Sequence, residues 1–295
     1  MLDNISPVLK KYLPTILLSA ITATGLVSCS DSKAPETTAQ TPAITKNTKP
    51  FADALSQLQA QLKPAPKAHN KIAFLVDKSK SMDSELAEPV KMADLQQVIG
   101  SANGLEVAVS KICTRNPASL ERGKFEPQPK LPDGLSAPII DNSETVNQYL
   151  EEEETNKVKE EVSKKLSEIK IFTSKLATDR AKQQQDTNQY LAKVNPILTA
   201  KNDCNSTAIH HETDKVDRFF EEPVVDSATP INKYLLIVTD GLDEYDGKTI
   251  KFTDPKVQVL VVHGGEKIGV LEKTPNVIRF ANVHAAMEFI TKKMK

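Results

Sequence analysis

Residues 72–82 of the chain read Ile-Ala-Phe-Leu-Val-Asp-Lys-Ser-Lys-Ser-Met. The first five are apolar without interruption, which is typical of a strand buried on both faces of a parallel sheet. A carboxylate and two hydroxyls follow at alternate positions, in Asp77, Ser79 and Ser81. Such oxygen donors suit Mg²⁺, Mn²⁺ or Ca²⁺ better than zinc. The stretch therefore predicts a buried strand that ends in a candidate metal-binding loop.

Further apolar runs predict strands over residues 105–112, 234–238, 257–262 and 277–280. Helical patterns lie between them, the first expected to begin at Pro89 and stop at Gly100, the last to be capped by Asn282. This alternation predicts an α/β fold with a doubly wound, mostly parallel sheet.

The run at 234–238 ends in Thr239-Asp240-Gly241. If its strand neighbours the first one, Asp240 faces Asp77 across the crevice where such sheets bind ligands. Two carboxylates held so close repel each other unless a cation lies between them.

A long insertion over residues 114–200 separates the second and third predicted strands. Its proline-rich first part, residues 114–142, is expected to run over the surface. From Ser143 the pattern predicts a helix toward Pro196, with Asp179 and Asp186 as candidate breaks. Two interpretations stay open: the helix packs along the sheet, or it projects as an arm that reaches a partner or self-associates.

The N-terminus reads as a targeting segment. Lys10 and Lys11 precede an apolar stretch that ends in Leu26-Val27-Ser28-Cys29, which resembles the lipobox of bacterial lipoproteins. The resemblance implies a signal peptide over residues 1–28, a lipid-modified Cys29 and attachment to a membrane of the bacterial cell envelope. Ser30, in place of the Asp that resembles an inner-membrane retention signal, favours the outer membrane. An ordinary signal peptide cut near Ser28 and an uncleaved anchor are the alternatives.

After Cys29, residues 29–50 are polar and predict a flexible tether. An amphipathic helix and a Pro-rich link follow over 51–68, with Phe51 and Leu58 on an apolar stripe expected to dock on the folded domain, 69–295. The formal net charge is −1, which argues against a nucleic-acid partner.

Asp77-x-Ser79-x-Ser81 and Thr239-Asp240-Gly241 resemble two loops of the metal-ion-dependent adhesion site of von Willebrand factor type A (vWA) domains. The resemblance covers about residues 70–113 and 200–295. It implies that the two serines bind a divalent cation directly and that the two aspartates act through water. A threonine from another loop would complete the set; Thr207 is the best candidate and Ser206 the fallback.

One departure from the vWA pattern is Lys80, which stands where glycine is frequent. Lys78 and Lys80 place positive charge near the expected cation. They either lower its affinity or point outward.

The resemblance implies a binding function and no catalysis. A cation held mostly by neutral ligands, most simply Mg²⁺, would seek an Asp or Glu carboxylate from a protein partner. Three alternatives are open. In the first, Asp77 and the serines form only a helix cap and turn. In the second, Asp77 is the nucleophile of a Mg²⁺-dependent phosphohydrolase, although Ser79 stands where a second acid is usual. In the third, the chain is a tether whose metal site has decayed.

Cys113 and Cys204 are expected at the same edge of the sheet, where a disulfide would pin the Thr207 loop. Two separate buried thiols are the alternative. The adjacent His210 and His211 would diverge on a helix and make a poor metal pair. Asp243, Glu244 and Asp246 predict a solvated acidic loop.

Overall fold

The computed structural model describes residues 45–84, 89–113, 119–224, 229–243, 249–262 and 268–294. The predictions for the signal peptide, for Cys29 and for the tether up to residue 44 lie outside the described residues. The elements, in chain order, are α1 Lys49–Gln61, β1 His69–Asp77, α2 Met92–Ser101, β2 Leu105–Ile112, β3 Glu121–Phe125, α3 Asp133–Ser136, α4 Glu151–Leu198, α5 Ile209–Glu221, β4 Ile231–Val238, β5 Gln258–Val262, β6 Val277–Phe280 and α6 Val283–Lys293, with 3₁₀ turns at Lys80–Ser84 and Gly269–Lys273.

The six strands form one sheet in the order β3-β2-β1-β4-β5-β6. All neighbours are parallel except β3, which pairs antiparallel with β2 at one edge. The expected α/β fold with a doubly wound, mostly parallel sheet is confirmed. The strand order reverses between β1 and β4, and this switch point is where such sheets hold ligands.

Both faces of the sheet are covered, as the uninterrupted apolar runs require. Alternate residues of β1 enter different cores: Phe74 belongs to a first core with α2, α6 and the end of α4, and Leu75 to a second core with α5. Asn282 caps α6 by accepting a hydrogen bond from the Ala285 amide, as its sequence position predicted.

Helix α2 begins later than expected. Lys91 has extended backbone angles, so the helix starts at Met92 and Pro89 lies before it. The helix continues one residue past Gly100 and ends at Ser101.

Residues 119–142 are not only a surface segment, because they include the edge strand β3 and the single turn α3. The sequence Glu-Arg-Gly-Lys-Phe of β3 is polar, so its pattern gave no strand signal. Gly123 of β3 lies under the ring of Tyr190 in α4, where an added Cβ would come within 2.8 Å of the ring. The strand is therefore stabilised by pairing and by α4, and not by its own apolar residues.

Helix α4 is continuous over 48 residues, roughly 70 Å, with no break at Asp179 or Asp186. Its C-terminal part joins the first core through residues that include Tyr190 and Val194. Its N-terminal part forms a third core with α1 and residues 131–139. One end of the helix thus packs on the sheet and the other extends as an arm; contact of this arm with a partner or a second copy stays a prediction.

The described chain begins with a turn that is held to the arm. Thr45 and Asn47 donate hydrogen bonds to the Asp141 carboxylate. Although burial opposes the shift, hydrogen bonds from Ser143, Thr45 and Asn47 lower the pKa of Asp141 to about 2. Residues 45–50, which were expected to belong to the flexible tether, are therefore part of the folded unit, and α1 already begins at Lys49.

Five helices end on a basic side chain that comes from elsewhere in the chain. A positive charge at a helix C-terminus binds the free carbonyls and opposes the negative end of the helix dipole. The donors and their acceptor carbonyls are Arg180 to Gln61 of α1, Lys63 to Gly100 and Ala102 of α2, Lys165 to Ala137 after α3, Lys78 to Leu198 of α4, and Lys71 to Phe219 and Glu222 of α5.

Lys71 is the most buried of these five. Its ammonium donates to the carbonyls of Phe219 (2.9 Å) and Glu222 (2.6 Å) and lies 3.4 Å from the Glu106 carboxylate. We expect Lys71→Met to lower the free energy of unfolding by about 2–4 kcal/mol, because it leaves buried acceptors without a donor. Urea unfolding measures this change. The control is Lys130→Met at an exposed position, which should change stability by less than about 0.5 kcal/mol; equal effects would contradict the prediction.

Candidate metal site

The carboxyl ends of β1 and β4 flank the switch point, and both carry acidic side chains there. Asp77 is the last residue of β1 and is 2 % exposed. Asp240 lies two residues after β4 and is 8 % exposed. Because β1 and β4 pair in parallel, the sheet brings these two predicted site residues to the same edge.

Asp77 joins the two loops. One of its oxygens accepts a hydrogen bond from the Ser79 amide (2.8 Å), and the other accepts one from the Thr239 hydroxyl (2.7 Å). Thr239 is completely buried and also accepts a hydrogen bond from the Gly241 amide. Thr239 belongs to the Thr239-Asp240-Gly241 motif, but no role was predicted for it. It fixes the β4 loop to Asp77.

The two serine hydroxyls converge as their alternate spacing predicted. Ser79 Oγ lies 2.9 Å from Ser81 Oγ. Ser79 is buried and Ser81 is half-buried, so the pair stands between the interior and the solvent. Two neutral oxygen donors are therefore held together on the loop that follows β1.

Asp240 has a buried oxygen without a partner. Its Oδ1 accepts a hydrogen bond from the Leu242 amide, whereas its Oδ2 is buried and makes no hydrogen bond among the described residues. An unpaired buried carboxylate oxygen is costly unless a cation or a proton compensates it. The donor set at this edge thus fits a hard divalent cation.

Burial raises the pKa of Asp77, and the nearby Asp240 carboxylate raises it further, against the hydrogen bonds from Thr239 and Ser79. The ionised form of Asp77 is therefore disfavoured in the metal-free protein. A cation at this edge would favour it.

Gly241 follows Asp240 for a steric reason. Its φ is +77°, a conformation that favours glycine, and an added Cβ would overlap the backbone of Ile268. The Gly241 carbonyl also accepts a hydrogen bond from the Val270 amide. The β4 loop is thus packed against the chain that follows β5, which fixes the direction of Asp240.

Cys204 brings the third predicted segment to the site. Its amide donates to the Lys78 carbonyl and its carbonyl accepts from the Lys80 amide, both at 3.0 Å, so it pairs like a strand beside Ser79. Cys204 also forms a disulfide with Cys113, at the end of β2. The predicted disulfide is confirmed, and the alternative of two separate thiols is wrong.

Thr207 lies three residues after Cys204 and is buried, and Ser206 beside it is half-buried. Within the part of the chain that the structure describes, no hydrogen bond joins the Thr207 side chain to Asp77, Ser79 or Asp240. The structure brings the segment to the site. The role of Thr207 as a ligand still depends on the vWA resemblance alone.

A second contact that holds the β4 loop, between Asp243 and His210, was not predicted. Asp243, expected in a solvated acidic loop, has a completely buried side chain. Its Oδ2 accepts hydrogen bonds from the amide (3.0 Å) and the Nδ1 (2.6 Å) of His210 at the start of α5. A carboxylate at a helix N-terminus is favourable, but here it comes from a distant loop, which no local pattern reveals. Glu244 and Asp246 lie outside the described residues.

The two lysines of the first loop have different surroundings. Lys78 is buried, and its ammonium donates to the carbonyl of Leu198 at the end of α4 (2.9 Å). Burial lowers the pKa of Lys78, while the Asp77 carboxylate raises it. Lys80 is exposed. The outward direction is therefore observed for Lys80 and is wrong for Lys78, which turns into the protein toward the end of α4.

A cleft of about 530 Å³ opens beside Asp77 at the same edge. Apolar side chains of Met82, Leu198 and Val238 line it together with Asp83 and Asp203. No group of three or more His, Cys, Asp or Glu side chains that could hold a metal ion occurs among the described residues. The candidate ligands include only two carboxylates and otherwise consist of hydroxyls.

No protein-family model matches the chain, and no curated protein sequence does. Similar solved structures include the manganese-loaded TRAP protein of Plasmodium vivax, at 11 % identity, 77 % coverage of this chain and 73 % of that chain, with a TM-score of 0.32. Another is proximal thread matrix protein 1 from the mussel byssus, at 14 % identity and a TM-score of 0.32. That match covers 77 % of this chain and 46 % of the mussel protein chain. At these values neither similarity carries an argument about function.

Asp77→Asn tests whether the Asp77 carboxylate contributes to binding a cation. Because the pKa of Asp77 is raised, the protein is more stable when this side chain is protonated. This stabilisation is complete below the ordinary pKa of aspartate and is lost as the pH rises through the raised pKa. At pH 7 Asp77→Asn removes this unfavourable charge but also replaces one of the two accepting oxygens with an NH₂ group, so we expect little change in the free energy of unfolding of the metal-free protein. Mg²⁺ at a hundredfold excess over its Kd should stabilise the wild type by about 2.7 kcal/mol and the variant not at all.

Asp83→Asn is the matched control, since Asp83 is an exposed carboxylate on the adjoining 3₁₀ turn. Asp83→Asn should change neither the free energy of unfolding of the metal-free protein nor the additional stabilisation by Mg²⁺. Equal stabilisation of wild type and Asp77→Asn by Mg²⁺ in urea unfolding would contradict the metal site.

The disulfide closes a loop between residues 91 positions apart. We expect the double variant Cys113→Ser/Cys204→Ser to be less stable by about 2–5 kcal/mol and to bind Mg²⁺ more weakly, because the Thr207 segment loses its covalent attachment. Urea unfolding and calorimetric Mg²⁺ titration measure the two effects. Dithiothreitol should reproduce both in the wild type and change nothing in the variant; unchanged Mg²⁺ affinity would show that the disulfide does not position the site.

Proposed function

We propose that the chain is a membrane-anchored, vWA-type binding module that engages a protein partner through a divalent cation. The observation that carries this proposal is the unpaired, buried Oδ2 of Asp240 beside the buried carboxyl group of Asp77. The adjoining hydroxyl pair of Ser79 and Ser81 supplies neutral donors at the same edge. This combination is stable with a cation bound and strained without one.

The residues that would hold the cation are Asp77, Ser79, Ser81, Thr207 and Asp240. Mg²⁺ is the first candidate, with Mn²⁺ and Ca²⁺ as alternatives. Both oxygens of Asp77 already accept protein hydrogen bonds, which suits a role through bound water. A cation with few direct carboxylate ligands keeps positive charge at the open edge of the sheet. The ligand that completes it would be an Asp or Glu carboxylate of the partner.

Membrane attachment would come from lipid on Cys29, at the outer membrane or the cell surface of a bacterial envelope. Among the described residues no helix is long and apolar enough to cross a membrane. More than one acyl chain is needed for stable anchoring, and a modified N-terminal cysteine would carry several.

The phosphohydrolase alternative is less well supported. A nucleophilic aspartate needs an oxygen that is free to attack, but Asp77 is 2 % exposed and both its oxygens accept hydrogen bonds. The second carboxylate usual for that chemistry is absent at Ser79, which instead pairs with Ser81. We therefore assign the edge to binding and not to catalysis.

The deciding experiment is partner capture from bacterial envelopes with and without a chelator. We expect wild-type protein to retain a partner in Mg²⁺ and to release it in EDTA, and Asp240→Ala to retain none, because it removes the unpaired oxygen. Asp203→Ala, an exposed carboxylate at the neighbouring cleft, is the control and should behave as the wild type.

Each failure has a separate meaning. Capture that persists in EDTA would contradict the role of the cation. Turnover of p-nitrophenyl phosphate that is lost in Asp77→Asn would establish the enzyme alternative. Absence of calorimetric binding of Mg²⁺, Mn²⁺ and Ca²⁺ would favour a tether with a decayed site.

A further inference from the structure

Exposed apolar side chains concentrate in one short stretch. Of the five large hydrophobic side chains that are exposed in the described part of the chain, three lie within residues 140–150: Ile140 (64 %), Tyr149 (94 %) and Leu150 (49 %). Exposed apolar groups that occur together mark surfaces that contact something else. Residues 140–150 are called the arm tip below.

The arm tip lies at the end of the molecule opposite to the candidate metal site. Helices α1 and α4 run side by side, with Phe51 against Lys165 and the Gln61 carbonyl bonded to Arg180. Lys63, two residues after α1, is bonded to the end of α2, just before β2 begins. The arm therefore leaves the sheet at the amino edge of the strands.

From Arg180 to its start at Glu151, α4 continues for about 45 Å. In the other direction it ends at Leu198, which is bonded to Lys78 in the first loop of the candidate site. One rigid helix thus has the arm tip at its beginning and the candidate metal site at its end.

The N-terminal part of the chain joins the molecule at the same arm. Thr45 and Asn47 are hydrogen-bonded to Asp141, the residue after Ile140. Cys29 is sixteen residues before Thr45. A segment of this length reaches at most about 55 Å when fully extended. The arm tip is therefore the described surface next to the point at which the anchored segment enters the fold.

We propose that the arm tip rests on the bilayer surface, so that the candidate metal site faces away from the membrane. This inference depends on the lipid anchor of the proposed function. Tyrosine favours the interface between headgroups and acyl chains, and isoleucine and leucine favour the apolar layer beneath. The helix α4 acts as a spacer of fixed length that presents the site to partners outside the lipid surface.

The charges near the arm tip specify the kind of lipid. Five glutamates surround Tyr149 and Leu150 in the sequence, at positions 144 and 151–154. Carboxylates are repelled by a negatively charged membrane surface. The arm tip therefore suits a bilayer of zwitterionic phospholipid better than one rich in phosphatidylglycerol.

The sequence contains no tryptophan, so a single introduced tryptophan reports its own surroundings. Tyr149→Trp places the probe at the arm tip. Ile171→Trp (70 % exposed, on the arm) and Leu242→Trp (60 % exposed, at the candidate site) are matched controls. Each lipidated, mature variant is bound to phosphatidylcholine vesicles whose acyl chains carry bromine, which quenches tryptophan within the bilayer.

We expect a blue shift and quenching for Tyr149→Trp and neither for the two controls. Adding phosphatidylglycerol to the vesicles should reduce the quenching of Tyr149→Trp. An unquenched Tyr149→Trp on protein that floats with the vesicles would overturn the inference and leave the anchor intact. Stronger quenching of Leu242→Trp than of Tyr149→Trp would also overturn it.

Failure of the lipidated protein to float with vesicles would instead remove the anchor, and with it both this inference and the membrane part of the proposed function. A blue shift of Tyr149→Trp without vesicles, together with a doubled mass in light scattering, would assign the arm tip to a second copy of the chain. That result would overturn the membrane contact as well.

Discussion

The parallel pairing of β1 with both β2 and β4 is the constraint on which the candidate site depends. Because the three strands run in one direction, the segments that follow them emerge at a single edge of the sheet. The chain then fixes these segments to one another with three contacts of different chemistry: the Asp77–Thr239 hydrogen bond, the Cys113–Cys204 disulfide and the His210–Asp243 pair. The carboxylates and hydroxyls stay close because their backbones have no freedom to separate.

The second general feature is the way in which the helices end. The chain has 10 glycines in 295 residues, and no positive-φ residue directly follows any of α1 to α5 among the described residues. The ends of these helices are instead stabilised by lysine and arginine from distant segments. Each of these contacts also ties two elements together. Lys63 joins the end of α1 to α2, Arg180 joins the end of α1 to α4, and Lys78 joins the end of α4 to the first loop of the site.

Much of the architecture follows from the sequence, because buried strands need unbroken apolar runs and the central strands have them. The strand β3 could not be predicted in this way, since its charged residues and Gly123 are stabilised by β2 and by Tyr190. At the candidate site, too, some features follow from the local sequence and others depend on distant partners. The spacing of Asp77, Ser79 and Ser81 predicted that the two hydroxyls converge, and the strand ends placed Asp240. The burial of Asp243 and of Lys78 depends on partners more than 30 residues away, His210 and Leu198, which no local pattern indicates.

The positions of the two cysteines have a consequence for the integrity of the molecule. Cys113 and Cys204 stand on either side of the whole insertion, so β3, α3 and α4 form one covalently closed ring attached to the sheet. A protease that cleaves the exposed arm would open this ring without releasing either half. The sheet would keep both flanking segments of the chain, and such damage would become visible as two fragments only after the sulfur bridge is reduced.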